Sequence, residues 1–272
     1  MIVERIYDAI SSNIAKKAPK LGAWNIGGCV LANWAADKGI EPSDEVSPRE
    51  QMVLDLGIKI EDVLAAYLQA VCSFATIRPV DRFFKIDKLN IIARPDFILT
   101  LPSSQDLKSI APFASRFAVL EGRTDRLAQA GLLSPPYAGE QVVLELKSMN
   151  SFSFRDAIIG KISDRYWHQC QAYLEALNFS WCILLAYRKD DSSLFEVWVG
   201  RDKGWLSEAE QIVEKIRAKE RPPRPYSLVP YGDDLVLQYP CSYCNYRTWC
   251  WGKLKPIAAG DRTYLAPLSI NE

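Results

Sequence analysis

The sequence has no net charge, no long hydrophobic run and only one histidine. Its 33 basic residues balance 33 acidic ones, so no overall field would draw in a nucleic acid, and any such contact would depend on local patches. No apolar run is long enough to span a bilayer, and the first five residues lack the order of a signal peptide. Low-complexity segments and internal repeats are also absent. We therefore expect a cytoplasmic protein with no membrane partner.

The composition that remains is that of a globular protein. With 272 residues, 49% of them hydrophobic, the chain can bury one large core, or a core domain with an appended subdomain. It contains seven cysteines. Because no secretory signal precedes them, they argue against a disulfide framework and favour a metal site together with some buried thiols.

Three cysteines near the C-terminus, Cys241, Cys244 and Cys250, form the most specific local pattern. Two thiolates three positions apart can hold one metal from a single turn, and a third six positions later can close over it. A fourth ligand is still required. The lone histidine, His168, falls on a helix that carries other candidate site residues, whereas Cys29 follows two glycines that let the backbone approach closely. The other cysteines occur in apolar runs typical of buried thiols, namely Cys72, Cys170 and Cys182.

Zinc and an iron–sulfur cluster both accept four thiolates. Zinc ribbons usually supply a second close cysteine pair, which this sequence lacks, so the spacing favours a [4Fe–4S] cluster. Zinc and a set of purely structural thiols are the alternatives. A metal held by Cys29 and the C-terminal cysteines would join the beginning of the chain to its end.

A second candidate site lies on the predicted strand Gln141 to Ser148. Residues two apart in a strand share a face, so Glu145 and Lys147 point the same way where an apolar strand runs out toward a rim. A carboxylate can bind Mg²⁺ or Mn²⁺, and an ammonium can hold an attacking water or offset charge on a phosphate. This pair suits metal-assisted attack on a phosphodiester. The alternative is a solvated charge pair at a strand end.

Several further elements contribute polar residues in apolar surroundings. A capping box at Ser47 predicts a long helix from Pro48 to about Phe74, with Gly57 and Glu61 one turn apart on one face. A strand is expected over Leu89 to Leu101, with Asp96 in its middle, where a carboxylate is usually paired or metal-bound. Other predicted elements are helices over 3–18, 31–36, from about 163 and 207–219, and strands over 82–86, 181–187 and 194–199.

The helix from about Ser163 brings Gln169 and Tyr173 onto one face, because they are four positions apart. Residues 102–140 read as an insertion without strong periodicity, and such segments are more often functional or mobile than inert.

Together these motifs resemble the PD-(D/E)XK nuclease superfamily in its RecB-like branch, over roughly residues 26–252. Within that branch the chain is most similar to the iron–sulfur exonucleases of CRISPR-associated, AddB-type and phage or viral origin. The residues that match in family order are Cys29, Gly57 to Glu61, Ala93 to Asp96, Glu145 to Lys147, Gln169 to Tyr173, and Cys241, Cys244 and Cys250.

The resemblance implies a role for each matched residue. Asp96 and Glu145 would be metal carboxylates, Lys147 would position the water or stabilise charge, and Gln169 and Tyr173 would form an active-site pair that contacts DNA. The cluster ligands would be Cys29, Cys241, Cys244 and Cys250. The chain has Glu61 where the family often has histidine, which makes Glu61 a further metal ligand. Gly122 to Asp125 is a second match to the Asp96 motif, and the strand-like context favours Asp96.

The expected fold is α/β, with a restriction-endonuclease-like central mixed sheet flanked by helices and a helical N-terminal part tied to the C-terminus by the metal cluster. The expected division is a helical part over 1–80, a nuclease core over 81–220 and an iron–sulfur segment over 221–272. The expected function is Mg²⁺- or Mn²⁺-dependent exonucleolytic hydrolysis of single-stranded DNA ends. The alternative is a non-catalytic or processing DNA-end-binding adaptor. Expected partners are DNA and recombination, replication or CRISPR adaptation proteins.

Overall fold

The computed structural model describes residues 20–71, 76–101, 139–259 and 262–268, together with residues 5, 7 and 10. Most of the predicted N-terminal helix, Cys72 and residues 102–138 of the predicted insertion, with the Gly122 to Asp125 motif, lie outside the described residues. The described chain forms two compact units. The sheet unit comprises Leu21–Gly27 and the described residues of Asp55–Val213, and the cysteine unit comprises Gly28–Leu54 and the described residues from Glu214 onward. Among the described helices, none combines the length and apolarity required to cross a membrane.

The sheet unit is built on a five-stranded mixed sheet with the strand order β1-β4-β5-β6-β7. Strands β5 and β6 are parallel and every other neighbouring pair is antiparallel. A short hairpin, β2-β3, forms a separate two-stranded sheet. The strands are β1 (Thr76–Pro79), β2 (Phe84–Ile86), β3 (Ile91–Ala93), β4 (Phe97–Thr100), β5 (Gln141–Met149), β6 (Trp181–Arg188) and β7 (Leu194–Gly200).

Helices cover both faces of this sheet. Helix α2 (Pro48–Val71) contributes Leu64 to a core cluster with Leu144 and Leu146 of β5, while Trp167 and Leu174 of a later helix belong to the opposite cluster with Val143. The helices are α1 (Val30–Asp37), α2, α3 (Ser151–Ile158), α4 (Asp164–Leu177), α5 (Trp205–Arg217) and α6 (Arg247–Trp251). The predicted central mixed sheet flanked by helices is therefore confirmed.

Local capping fixes where the helices that follow β5 begin. The Asn150 side chain accepts a hydrogen bond from the Ser153 N–H and starts α3, and the Ser163 hydroxyl accepts one from the Tyr166 N–H and starts α4. Helix α4 ends at Leu177 and is capped by Asn178, which adopts a left-handed conformation with φ of 56°. These boundaries set the rotation of α4, and with it the direction of Gln169 and Tyr173.

The predicted strand from Leu89 to Leu101 is wrong in one respect. The segment forms two strands, β3 and β4, and Asp96 lies in the bend between them rather than in the middle of one strand. Pro95, which has no N–H to donate to a sheet, immediately precedes this bend. Asp96 therefore lies immediately before the first residue of β4.

Three smaller expectations also differ from the structure. The strand expected from Arg82 begins at Phe84, and α3 forms where no helix was predicted. Helix α5 begins at Trp205 rather than at Ser207, because the Asp202 side chain accepts from the Gly204 N–H and the Trp205 indole is buried.

The cysteine unit contains α1, α6, a 3₁₀ turn at Cys241–Tyr243 and two hairpins. Its core cluster joins Leu31, Trp34 and Ala35 of α1 to Tyr246, with Trp249 packed against it. The hairpins, which sequence analysis missed, are β8 (Leu228–Tyr231) with β9 (Asp234–Leu237) and β10 (Leu254–Ala259) with β11 (Arg262–Pro267).

Candidate active site

The candidate active site lies where β4 and β5 stop pairing. The first residue of β4, Phe97, pairs with Leu144, so the edge of β5 beyond Leu144 faces the bend that carries Asp96. Asp96 Oδ2 accepts a hydrogen bond of 2.8 Å from the Leu146 N–H. The Asp96 N–H in turn approaches Glu145 Oε2 at 3.4 Å. The two carboxylates are thus fixed side by side by main-chain groups.

Glu145 is the centre of a buried polar cluster. Its side chain is on β5, and only 1% of the residue surface is exposed. Glu145 Oε1 accepts from Lys147 Nζ at 2.5 Å and from Gln169 Nε2 at 2.7 Å, and the Tyr173 hydroxyl lies 3.4 Å away. Gln169 Nε2 also donates to the Tyr173 hydroxyl at 2.7 Å. The structure therefore brings together five of the predicted site residues, Asp96 included.

Burial governs the charge of this cluster. It raises the pKa of Glu145 to about 8, although Lys147 acts in the opposite direction. Burial lowers the pKa of Lys147, but the charges of Glu145 and Asp96 outweigh it and leave that pKa above its usual value. Burial also raises the pKa of the Tyr173 hydroxyl well above its usual range. Burial thus opposes the ionisation of Glu145, and the neighbouring positive charge of Lys147 favours it.

Glu61 approaches the cluster from α2, where a glycine allows close packing. A Cβ on Gly57 would lie 3.2 Å from the Ser148 hydroxyl of β5, so α2 passes β5 closely one turn before Glu61. Burial raises the pKa of Glu61, with Lys147 opposing the shift and Asp96 adding to it. Glu61 is therefore within electrostatic reach of the cluster.

The donor set suits a hard divalent cation, because it consists of carboxylate oxygens on rigid elements. Within the described part of the chain, however, no three His, Cys, Asp or Glu side chains converge closely enough to form a ready-made ion site. Glu145 is instead engaged by Lys147, and Asp96 by the Leu146 N–H. Lys147 therefore competes with a cation for Oε1 of Glu145.

The four cysteines expected to bind a cluster line one cavity in the cysteine unit. Burial raises the pKa of the Cys241 and Cys244 thiols to about 11, and it also raises the pKa of Cys29. The Cys244 sulfur accepts a hydrogen bond from the Tyr246 N–H. Without a cation these three thiols are protonated at neutral pH.

Two arginines beside this cavity were missed by sequence analysis. Arg221 lies 4.4 Å from the ring centre of Trp249, and Arg224 lies 4.5 Å from that of Trp251. Arg224 Nε also donates to the Cys250 carbonyl oxygen at 3.1 Å. The sequence signal that could have identified them is the run of arginine and proline at 221–225.

Of the two glycines before Cys29, Gly27 lies close to the start of α4. A Cβ on Gly27 would lie 2.6 Å from the Asp164 carbonyl oxygen and 2.9 Å from the Arg165 Cα at the start of α4. Gly27 therefore permits close packing against α4 within the sheet unit.

Comparison with known proteins gives no match to a protein-family profile and none to a curated protein. Among solved structures, the chain is similar to an alkaline exonuclease (LHK-Exo) from Laribacter hongkongensis, with 15% identity and a TM-score of 0.42 over 78% of this chain and 90% of that one. The structure of LHK-Exo in complex with dAMP shows 14% identity and a TM-score of 0.43, again over 78% of this chain and 90% of that one. The crystal structure of SSO0001 shows 14% identity and a TM-score of 0.45 over 94% of this chain and 98% of that one. At this level of identity and overlap, the similarity assigns neither a family nor an activity to the chain.

Proposed function

We propose that the sheet unit is a Mg²⁺- or Mn²⁺-dependent deoxyribonuclease that hydrolyses phosphodiester bonds at single-stranded DNA ends. The observation that carries this proposal is the convergence of Asp96, Lys147, Gln169 and Tyr173 on the buried carboxylate of Glu145. A buried carboxylate surrounded by fixed polar groups is costly for folding alone, and such costs are concentrated at functional sites.

Each residue of the cluster has a distinct task in this proposal. Asp96 and Glu145 would hold the cation, with Glu61 as a further ligand from α2. When bound, the ion supplies Lewis-acid activation of water and neutralises charge at the scissile phosphate. Lys147 would hold the attacking water or offset charge on the phosphate. Gln169 and Tyr173 keep the Glu145 carboxyl in a fixed orientation through their hydrogen bonds.

An end-labelled single strand with Mn²⁺ tests this proposal. The protein should degrade the strand, and a Glu145→Gln variant should lose the activity while retaining its fold. A Glu214→Gln variant is a matched control, because Glu214 is an exposed glutamate on α5. Intact substrate with the parent protein over a range of Mn²⁺ concentrations would contradict the proposal. Closed circular DNA in the same assay separates an exonuclease, which cannot start there, from an endonuclease.

We further propose that Cys29, Cys241, Cys244 and Cys250 hold a [4Fe–4S] cluster. The support is that all four thiols line one cavity whose other walls include Tyr226, Trp249 and Trp251. Anaerobically purified protein should be brown, with broad visible absorption that a Cys241→Ala substitution removes. Cys170→Ala, which removes a thiol from the sheet core, should leave the absorption unchanged. Colourless protein that contains zinc would contradict the iron–sulfur cluster and would show that the chain binds zinc instead.

A second candidate function is a non-catalytic DNA-end-binding adaptor within a recombination, replication or CRISPR adaptation complex. The observation that favours it is the close ion pair in which Lys147 Nζ contacts Oε1 of the Glu145 carboxylate. This candidate predicts tight binding to single-stranded overhangs without cleavage at any Mn²⁺ concentration. It also predicts that Lys147→Met does not alter DNA binding more than Lys59→Met, a change at an exposed lysine of α2.

A further inference from the structure

An exposed aromatic ring next to an arginine forms a surface feature close to Asp96. The Phe83 residue is 55% exposed, although it is a large apolar residue. The guanidinium carbon of Arg94, which is also an exposed residue, lies 5.3 Å from the centre of the Phe83 ring. A guanidinium over a ring at this distance is a cation–π pair. Phe83 and Arg94 are called the rim pair below.

The main chain fixes the rim pair beside the candidate active site. The Val80 N–H donates to the Asp96 carbonyl oxygen at 3.0 Å, three residues before Phe83. On the other side, Phe84 of β2 pairs with Ala93 of β3. Arg94 is thus two residues from Asp96, which limits their Cα separation to about 7 Å. Because stacked nucleotides rise about 3.4 Å along one strand, this distance corresponds to about two nucleotides.

The hairpin that carries the rim pair is basic in a chain without net charge. Residues 82–94 contain four basic side chains and one acidic one, a net charge of +3. Arg82 makes a similar contact with the Phe84 ring, at 4.9 Å from its centre. The buried side chains of the hairpin, Ile86, Leu89 and Ile91, already supply its contact with the core. Packing therefore does not account for an exposed phenylalanine at its open end.

We propose that the rim pair binds the substrate strand next to the bond that is cleaved, with the Phe83 ring stacked on an unpaired base and Arg94 on a neighbouring phosphate. This inference rests on the proposed nuclease function and gives that site its preference for single strands. Any base offers a flat face to an aromatic ring, so stacking tolerates every sequence. A base pair inside a duplex has both faces covered by its neighbours, whereas an unpaired base offers a free face to the ring.

Binding is measured first, in a Glu145→Gln background that leaves the substrate intact. A single-stranded oligonucleotide with 2-aminopurine near its end should change its emission when the base stacks on Phe83. Phe83→Leu keeps the apolar bulk but removes the ring, and it should abolish this change and weaken binding by about 5- to 150-fold, as expected for loss of one base–aromatic stack. Phe83→Trp, which keeps an aromatic ring, should retain both the emission change and the affinity. Arg94→Gln should reduce the slope of log affinity against log salt by about 0.7, as for one phosphate contact on a single strand.

Two exposed residues elsewhere in the sheet unit are matched controls. Leu194→Ala removes an exposed apolar side chain from β7, and Lys59→Ala removes an exposed cation from α2. Neither should change the affinity or the emission. The inference is overturned if Phe83→Leu binds the single strand as tightly as the Glu145→Gln parent, or if it weakens binding to blunt duplex by the same factor.

Cleavage by the otherwise native chain separates this inference from the proposed function. Phe83→Leu should raise KM for single strands while leaving kcat close to that of the parent, because the ring contacts no reacting atom. If the parent cleaves and Phe83→Leu has the same KM, the rim pair is not a substrate site while the nuclease proposal stands. If the parent does not cleave but its binding depends on Phe83, the nuclease proposal fails and the rim pair serves DNA binding alone.

Discussion

Replacing the central carboxylate by its neutral isostere should remove a loss of stability that the metal-free protein undergoes as the pH rises. Glu145 is 1% exposed and burial raises its pKa to about 8. In the unfolded chain a glutamate has a pKa near 4.3. Between these two values the folded state binds more protons than the unfolded state, so the stability of the native protein falls as the pH rises. Glu145→Gln has no proton to exchange and should lack this slope.

The size of the effect follows from the pKa difference at about 1.36 kcal/mol for each unit. The ionisation of Glu145 should cost the folded protein about 1 kcal/mol at pH 5, about 4 kcal/mol at pH 7 and about 5 kcal/mol above pH 8. The burial of a neutral amide at the same position adds an offset that does not depend on pH. The diagnostic quantity is therefore the change of the stability difference with pH, not its value at one pH.

Urea unfolding followed by far-ultraviolet circular dichroism measures this difference. The native chain, Glu145→Gln and the exposed control Glu214→Gln would be compared from pH 5 to pH 8 in a chelating buffer. The control should follow the native chain. Added Mn²⁺ should narrow the gap between the native chain and Glu145→Gln, because a bound cation stabilises the ionised carboxylate. Parallel stability curves for the native chain and Glu145→Gln would refute the reasoning.

Three further predictions concern residues that hold the site in place. Tyr173→Phe removes the hydroxyl bonded to Gln169 and should cost about 1 kcal/mol in urea unfolding, with kcat reduced more than KM is changed. Gln171→Ala leaves the buried Gly200 carbonyl and the Asp202 N–H without their side-chain partner and should cost about 1–3 kcal/mol for each group, whereas the exposed Gln211→Ala should cost much less. Gly27→Ala should cost about 1–3 kcal/mol because its Cβ meets the α4 backbone, while Gly57→Ala should cost less, since the Ser148 hydroxyl can rotate away; equal losses would contradict this distinction.

Local periodicity predicted much of the sheet unit. The two-residue repeat of β5 placed Glu145 and Lys147 on one face, and the four-residue spacing on α4 did the same for Gln169 and Tyr173, as their contacts show. The pairing of β5 with the Asp96 bend was not predictable in this way, because it depends on Pro95 ending one strand and on the register of β4. The rim pair and the true partner of Gly27 depend on contacts between distant segments, which no local repeat encodes.

The chain order of the two units has a consequence for biosynthesis. Cys29 and Cys241 line the same cavity although more than 200 residues separate them, and the sheet unit occupies most of that interval. During translation, α1 is synthesised before the sheet unit, whereas its partner Tyr246 and the remaining thiols are synthesised after it. The contacts of α1 with these residues can therefore form only after the whole sheet unit has been synthesised. Closing so long a loop costs on the order of 5 kcal/mol, and prior compaction of the sheet unit reduces that cost by drawing the two ends together. The nascent chain should therefore acquire its sheet first and its thiol-lined cavity last.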